Sequence, residues 1–173
     1  MIGIPSSEIN AIGVMKSYMI RVGNGPFPTE MNKELSEHIR IKGNEFGTVS
    51  KRARKCGWLD LNLIKHAVKL NGVKKLAITN VDVLSNLEFI DVAVSYELDN
   101  KEICTNKALL FFENVKPVYK RFKSWNEMKK TYNSFDELPT ELKDYLKYIE
   151  NYVGVPIGYI SYGPDREQLI EVN

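Results

Sequence analysis

The stretch from Asp60 to Thr79 limits the fold more than any other part of the chain. Asp60 is a good helix N-cap, and Leu63, Ile64, Ala67, Val68 and Leu70 make a broad apolar stripe at helical steps. Asn71-Gly72 is a helix stop, and Lys75-Leu76-Ala77-Ile78-Thr79 follows at once as a short apolar run suited to a buried strand. A helix feeding a buried strand is the repeating unit of α/β folds, so the expectation is a mixed β-sheet flanked by helices. At 173 residues the chain is expected to form one domain spanning 1–173.

Other elements follow from similar signals. Pro5-Ser6-Ser7 reads as a helix start, and Ile9, Ile12, Met15 and Met19 recur at three- and four-residue steps, predicting a helix that ends near Ile20. Gly23-Asn24-Gly25-Pro26-Phe27-Pro28 cannot continue helix or central strand and reads as a shaped loop. Thr29 is the expected cap of a helix carrying Met31, Leu35 and Ile39 and stopped at Gly43, and the polar segment from Gly43 to Trp58 reads as a second functional loop. Phe89 to Leu98 and Glu102 to Phe112 flank Asp99-Asn100-Lys101, predicting a hairpin, while Pro117 makes Val115 to Phe122 an edge strand. Leu142, Tyr145, Leu146, Ile149 and Val153 share one face of a helix begun by Thr140 and closed by Gly154. Val155 to Tyr162 and Leu169 to Val172 read as the last strands.

Charge and cysteine content exclude several classes. With 24 basic and 22 acidic side chains the formal charge is +2, too balanced for the whole chain to bind nucleic acid electrostatically, so any anion site is local. No apolar run approaches the roughly 18 residues that span a bilayer, and Met1 to Pro5 lacks the charged and apolar regions of a signal peptide. A cytoplasmic location without membrane attachment is expected. Cys56 and Cys104, with only His38 and His66 as companions, give no zinc spacing, so no metal site is assigned to the chain. The two histidines read as surface or packing residues, and Trp58 and Trp125 as core anchors.

Three constellations carry chemistry. Ser50, Arg52 and Arg54 alternate through a run holding Lys51 and Lys55 as well. A guanidinium fork binds a carboxylate or phosphate through paired hydrogen bonds, and a serine hydroxyl adds another. The alternative is a solvated basic turn or a nucleic-acid contact. Asn80 and Asp82 follow the buried strand, where an aspartate can accept both the ring N–H and the exocyclic amine of guanine, although ordinary turn residues look the same. Ser161 and Gly163 end another strand, offering backbone groups to a flat ring or merely a turn. Ligands of open α/β sheets gather beyond the carboxyl ends of strands, which joins the last two constellations. No GxxxxGK[ST] loop and no strand–GxGxxG–helix unit is present.

The blocks taken together are more specific than any one of them. Lys16-Ser17-Tyr18, Arg21 through Glu30, Gly47 through Arg54, Cys56-Gly57-Trp58-Leu59-Asp60, Asp82-Val83-Leu84, Val115 through Tyr119, Gly154-Val155-Pro156-Ile157 and Gly163-Pro164-Asp165-Arg166 occur in the order and spacing of adenylosuccinate synthetases. The chain resembles the C-terminal part of that family, without the N-terminal half that carries the phosphate loop, the general-base aspartate and the histidine.

The resemblance implies GTP-dependent ligation of inosine monophosphate (IMP) and L-aspartate to adenylosuccinate. GTP phosphorylates the purine 6-oxygen, and the aspartate amine then displaces phosphate. It places Ser50 and Arg52 in the aspartate loop, Arg54 between aspartate and the nucleotide ribose, and Val22 at the IMP ribose. Asn80, Asp82, Ser161 and Gly163 fall where the family recognises guanine. No catalytic residue is assigned to this chain, Mg²⁺ is expected only with the N-terminal half, and the chain is expected to be either a truncated piece of such an enzyme or a split-gene subunit whose partner chain supplies that half. Family enzymes are homodimers, so a dimer is expected, with an incomplete sheet edge where the other half would pair. Asn80 stands where a lysine is common, Lys51 at a usual glycine, Ser50 at a threonine and Ala53 at one of several arginines. The rival expectation is a non-catalytic purine-nucleotide module that kept the recognition loops.

Overall fold

The computed structural model describes residues 9–103 and 105–172. In chain order its elements are β1 (Ala11–Lys16), β2 (Met19–Arg21), α1 (Lys33–Lys42), β3 (Lys55–Gly57), β4 (Leu59–Asp60), α2 (Leu61–Asn71) and β5 (Val73–Thr79). Then come β6 (Phe89–Leu98), β7 (Lys101–Ile103), α3 (Thr105–Leu110), β8 (Lys116–Lys123), α4 (Thr140–Val153), β9 (Ile157–Ser161) and β10 (Leu169–Glu171). One sheet has the order β1-β5-β9-β10, with β1, β5 and β9 parallel and β10 antiparallel. A second sheet centres on β6, parallel to β4 and antiparallel to β7 and β8, and β2 pairs with β3. The fold is α/β with mixed sheets and flanking helices.

The helices form where caps and stripes coincide. Asp60 caps α2 by accepting from the Asn62 and Leu63 amides at 3.1 and 3.2 Å, and Gly72 ends the helix in the left-handed region that favours glycine. On α4 the buried residues are Leu142, Tyr145, Leu146, Ile149 and Val153, the face given by the sequence spacing, and Gly154 closes it. Trp58 and Trp125 are both buried, the Trp125 indole donating to the Val81 carbonyl at 3.1 Å. Among the described residues no helix is long and apolar enough to cross a membrane.

Three elements differ from the sequence expectation. Ala11–Lys16 is a strand, not a helix: it pairs with β5 from Ile12↔Lys75 to Lys16↔Thr79, and its burial alternates with period two. Pairing to a ready sheet edge outweighs a three-residue periodicity that Ile9, Ile12, Met15 and Met19 share by coincidence. The expected helix start at Pro5-Ser6-Ser7 lies outside the described residues. The cap of α1 is Asn32, whose side chain accepts from the Leu35 amide at 2.9 Å, while Thr29 is buried and its carbonyl accepts from Trp58. The turn at Asp99 and Asn100 forms with both residues left-handed, but β7 is only three residues long and α3 follows. Buried Ala108 packs α3 against Tyr96 and Val115, and the long partner of β6 is β8, an edge strand as Pro117 requires.

The two faces of the parallel sheet differ. Leu76, Ile78, Ile160 and Ile170 are buried on one face, in the same core as α4 residues Leu142, Leu146 and Ile149. The opposite face carries Ile12 at 49% exposure, Val14 at 74% and Leu169 at 51%. Parallel sheets are ordinarily covered on both faces, and among the described residues this face and the adjoining β1 edge are left uncovered.

Candidate functional site

Because β1, β5 and β9 run parallel and adjacent, their carboxyl ends lie at one side of the sheet. Ser17, just past β1, ties its amide to the Thr79 carbonyl at 2.9 Å and its hydroxyl to the Asn80 carbonyl at 2.8 Å. Asn80 adopts a left-handed conformation, φ 61°, which asparagine tolerates, and its side-chain oxygen accepts from the Thr79 hydroxyl at 2.9 Å. Val81–Leu84 then make a 3-10 turn in which Val81, Val83 and Leu84 are buried, leaving Asp82 half-buried between them. Burial pushes the Asp82 carboxyl up, against the pull of the Asp82 and Val83 amides and the Lys42 charge. Lys42 donates to the Ser85 carbonyl and hydroxyl, both at 2.8 Å, and so pins the end of that turn.

Next to this corner, β9 pairs with β5 through Ile78↔Ile160 and ends at Ser161. The Ser161 hydroxyl donates to the Gly163 carbonyl at 3.1 Å, and Gln168 closes the loop by accepting from the Tyr162 and Asp165 amides. A Cβ on Gly163 would meet the end of the Gln168 side chain, which would have to swing aside and give up its bond from the Asp165 amide. Asn80, Asp82, Ser161 and Gly163 therefore come together at two neighbouring strand ends.

The basic loop is a closed turn. Phe46 bridges Ala53, the Gly47 amide donates to the Arg52 carbonyl at 2.9 Å, and the Lys51 amide returns to Gly47 at 2.9 Å. Ser50, Lys51 and Arg52 are exposed, whereas Arg54, two residues on in the same short ladder, is half-buried and donates to Glu45 at 2.8 Å. Arg21 fixes the glycine- and proline-rich loop by donating to the Pro26 and Asn24 carbonyls, and Val22 at its start is 71% exposed. The pairing Arg21↔Lys55 sets Val22 beside the exit of the basic loop, so Val22, Ser50, Arg52 and Arg54 belong to one region.

Lys51 has φ 53°, the left-handed region. A side chain there costs about 1–2 kcal/mol, and glycine's extra chain entropy cancels about 0.5–1 of it. Lys51→Gly is expected to raise stability by about 0.5–1 kcal/mol, read as a higher urea midpoint at unchanged slope, and a lower midpoint contradicts the assignment.

Sequence reasoning missed the group that joins the two regions. Glu45 is fully buried and accepts from Lys16, from the Tyr18 hydroxyl at 2.5 Å and from Arg54 at 2.8 Å. Burial alone would push its carboxyl up, but these three donors hold it below the usual range. Burial and the Glu45 carboxylate push the Tyr18 phenol up. A glutamate in a polar, glycine-spaced loop gives no sign of burial in sequence. Among the described residues no three His, Cys, Asp or Glu side chains gather as a metal site.

The chain is similar along its length to one group of proteins. The adenylosuccinate synthetase family matches residues 1–170. Adenylosuccinate synthetase 1 of Photorhabdus laumondii is 62% identical over 172 residues, covering 99% of this chain and 41% of that protein. The adenylosuccinate synthetase of Flavobacterium psychrophilum is 45% identical over 170 residues, covering 98% of this chain and 40% of the relative. The structure of fully ligated adenylosuccinate synthetase from Plasmodium falciparum superposes with a TM-score of 0.91 at 38% identity, over 99% of this chain and 42% of that one. The chain thus spans about two fifths of the length of the relatives it matches.

Proposed function

The chain belongs to the adenylosuccinate synthetase family, a family of purine-biosynthetic ligases, and on that premise we propose that it is the part of such a ligase that recognises aspartate, IMP and the guanine of GTP. Asp82 accepts the ring N–H and exocyclic amine of guanine, a pair that adenine does not offer. Asn80 faces the base edge, and Ser161 with the backbone at Gly163 borders the ring. Arg52 and the Ser50 hydroxyl hold an aspartate carboxylate, Arg54 bridges aspartate and the IMP ribose, and Val22 packs against that ribose. The observation that carries this reading is the meeting of Asn80 and Asp82 with Ser161 and Gly163 at the carboxyl ends of adjacent parallel strands, where α/β sheets bind ligands.

The bond-making steps need Mg²⁺, a general base and phosphate electrostatics acting together. These steps are assigned to the N-terminal part of the family's fold, and what this chain's residues contribute is recognition. Recognition alone binds ground and transition states alike and leaves the chemical barrier unchanged. The open sheet face with Ile12, Val14 and Leu169 suits packing by that part, and the assembled enzyme is proposed to be a cytoplasmic homodimer. Calorimetric titration with GTP, IMP and aspartate tests the recognition reading. Saturable GTP binding that ATP does not compete away is expected; equal binding of ATP and GTP contradicts it.

A further inference from the structure

We propose that Glu45 is the positioning residue of the aspartate and ribose site, setting the direction of Arg54. This rests on the reading of Arg54 above. Glu45 is the only acidic side chain among the described residues within ion-pairing distance of Arg54, and it is completely buried. A buried carboxylate is tolerated only when its lone pairs are filled, and here Lys16 and Tyr18 from one segment and Arg54 from another fill them. The Arg54 amide also donates to the Glu45 carbonyl at 2.9 Å, so backbone and side chain are registered together. From Lys16 and Tyr18 the connection continues through Ser17 to the Thr79 and Asn80 carbonyls.

The arrangement has a definite consequence for binding. One guanidinium nitrogen of Arg54 is committed to Glu45, which fixes the plane of the fork and leaves its remaining N–H groups for a ligand anion. Arg52 is exposed and has no ion pair among the described residues, so its direction is free until a ligand arrives. Arg54 is thus the preset half of the anion site and Arg52 the adaptable half. Lys16 pairs with the second oxygen of the same carboxylate, so Lys16, Glu45 and Arg54 together carry a net positive charge toward a ligand carboxylate.

Glu45→Gln and Glu45→Asp, each assembled with the N-terminal polypeptide of a family relative, test the assignment. Glu45→Gln is expected to raise the aspartate KM about tenfold while kcat and the GTP KM stay within about threefold, since only pre-orientation is lost. Glu45→Asp, which keeps the charge but shortens the reach, is expected to fall between the two. In an Arg54→Ala background Glu45→Gln is expected to change the aspartate KM by less than about twofold, because the pair acts as a unit. Additive effects, or equal rises in all three KM values, overturn the proposal. Tryptic cleavage after Arg54 reads the positioning in the chain by itself: Glu45→Gln is expected to speed it about fivefold at a melting temperature lowered only a few degrees. Unchanged cleavage in Glu45→Gln overturns the proposal, whereas faster cleavage with no ligation by the wild-type assembly overturns only the functional reading.

Discussion

Asp82→Asn is expected to weaken GTP binding about 100-fold, since two hydrogen bonds to a charged acceptor contribute about 1.5 kcal/mol each at the low end. The substitution is isosteric, so the 3-10 turn and the buried Val81, Val83 and Leu84 around it are undisturbed. What changes is polarity: the asparagine amide presents a donor toward a ring edge that itself donates, leaving an unpaired contact in a half-buried place. Burial already pushes the Asp82 carboxyl up, and Lys42, held on Ser85 beside it, counters this. Calorimetry on the chain, alone or assembled, measures the change. IMP affinity is expected to stay within about threefold because its contacts lie in the region of Arg54 and Val22. A loss of GTP affinity smaller than about threefold contradicts the role given to Asp82.

The largest stability effect is expected at Asp60, a residue with no part in binding. Asp60 is 1% exposed, caps α2 through two amides and accepts the buried Tyr96 hydroxyl on its other oxygen. Burial pushes its carboxyl up, and the bonds from Tyr96, Leu63 and Asn62 oppose that push. Asp60→Ala removes the cap, about 1 kcal/mol, and orphans the Tyr96 hydroxyl, about 1–3 kcal/mol, for a total of about 3 kcal/mol. For a chain of this size that is a fall in Tm of roughly 6–12 °C. Asp60→Asn keeps the acceptor for the cap but puts an amide donor in place of the second oxygen, so the Tyr96 hydroxyl must turn from donor to acceptor; the expected cost is about 1–2 kcal/mol, less than for Asp60→Ala. Equal losses for the two variants would show that the acceptor geometry is not what stabilises this corner.

Local signals made much of the fold legible. The α2 boundaries, the α4 face, the central strand β5 and the edge strand β8 each follow from a cap, a period or a proline at the right offset. The failures share a cause. Ile12, Gly13, Val14 and Met15 read as helix only while β5 is out of view, and Glu102 to Phe112 reads as strand only until Ala108 packs beside Tyr96. In both, a contact distant in sequence decided a short segment whose own preference is weak. The candidate site divides in the same way. Asp82, Arg52 and Gly163 announce themselves by residue type next to a strand end or a turn. Glu45 and Lys42 do not, because their meaning comes from what packs on them: Lys16, Tyr18 and Arg54 in one case, Ser85 and Asp82 in the other.

The exposed apolar residues of the parallel sheet and the proposed division of labour point to the same test. The proposed recognition groups lie on this chain, while the relatives it matches are more than twice as long. The direct measurement is formation of adenylosuccinate from IMP, L-aspartate and GTP by this chain mixed with a purified polypeptide covering the N-terminal part of a family relative. The account predicts that product appears in the mixture only, depends on GTP and Mg²⁺, and falls about 100-fold when Arg52→Ala replaces a charged contact to the aspartate carboxylate. A mixture that associates stably but forms no product, or one whose rate is indifferent to Arg52→Ala, would contradict it.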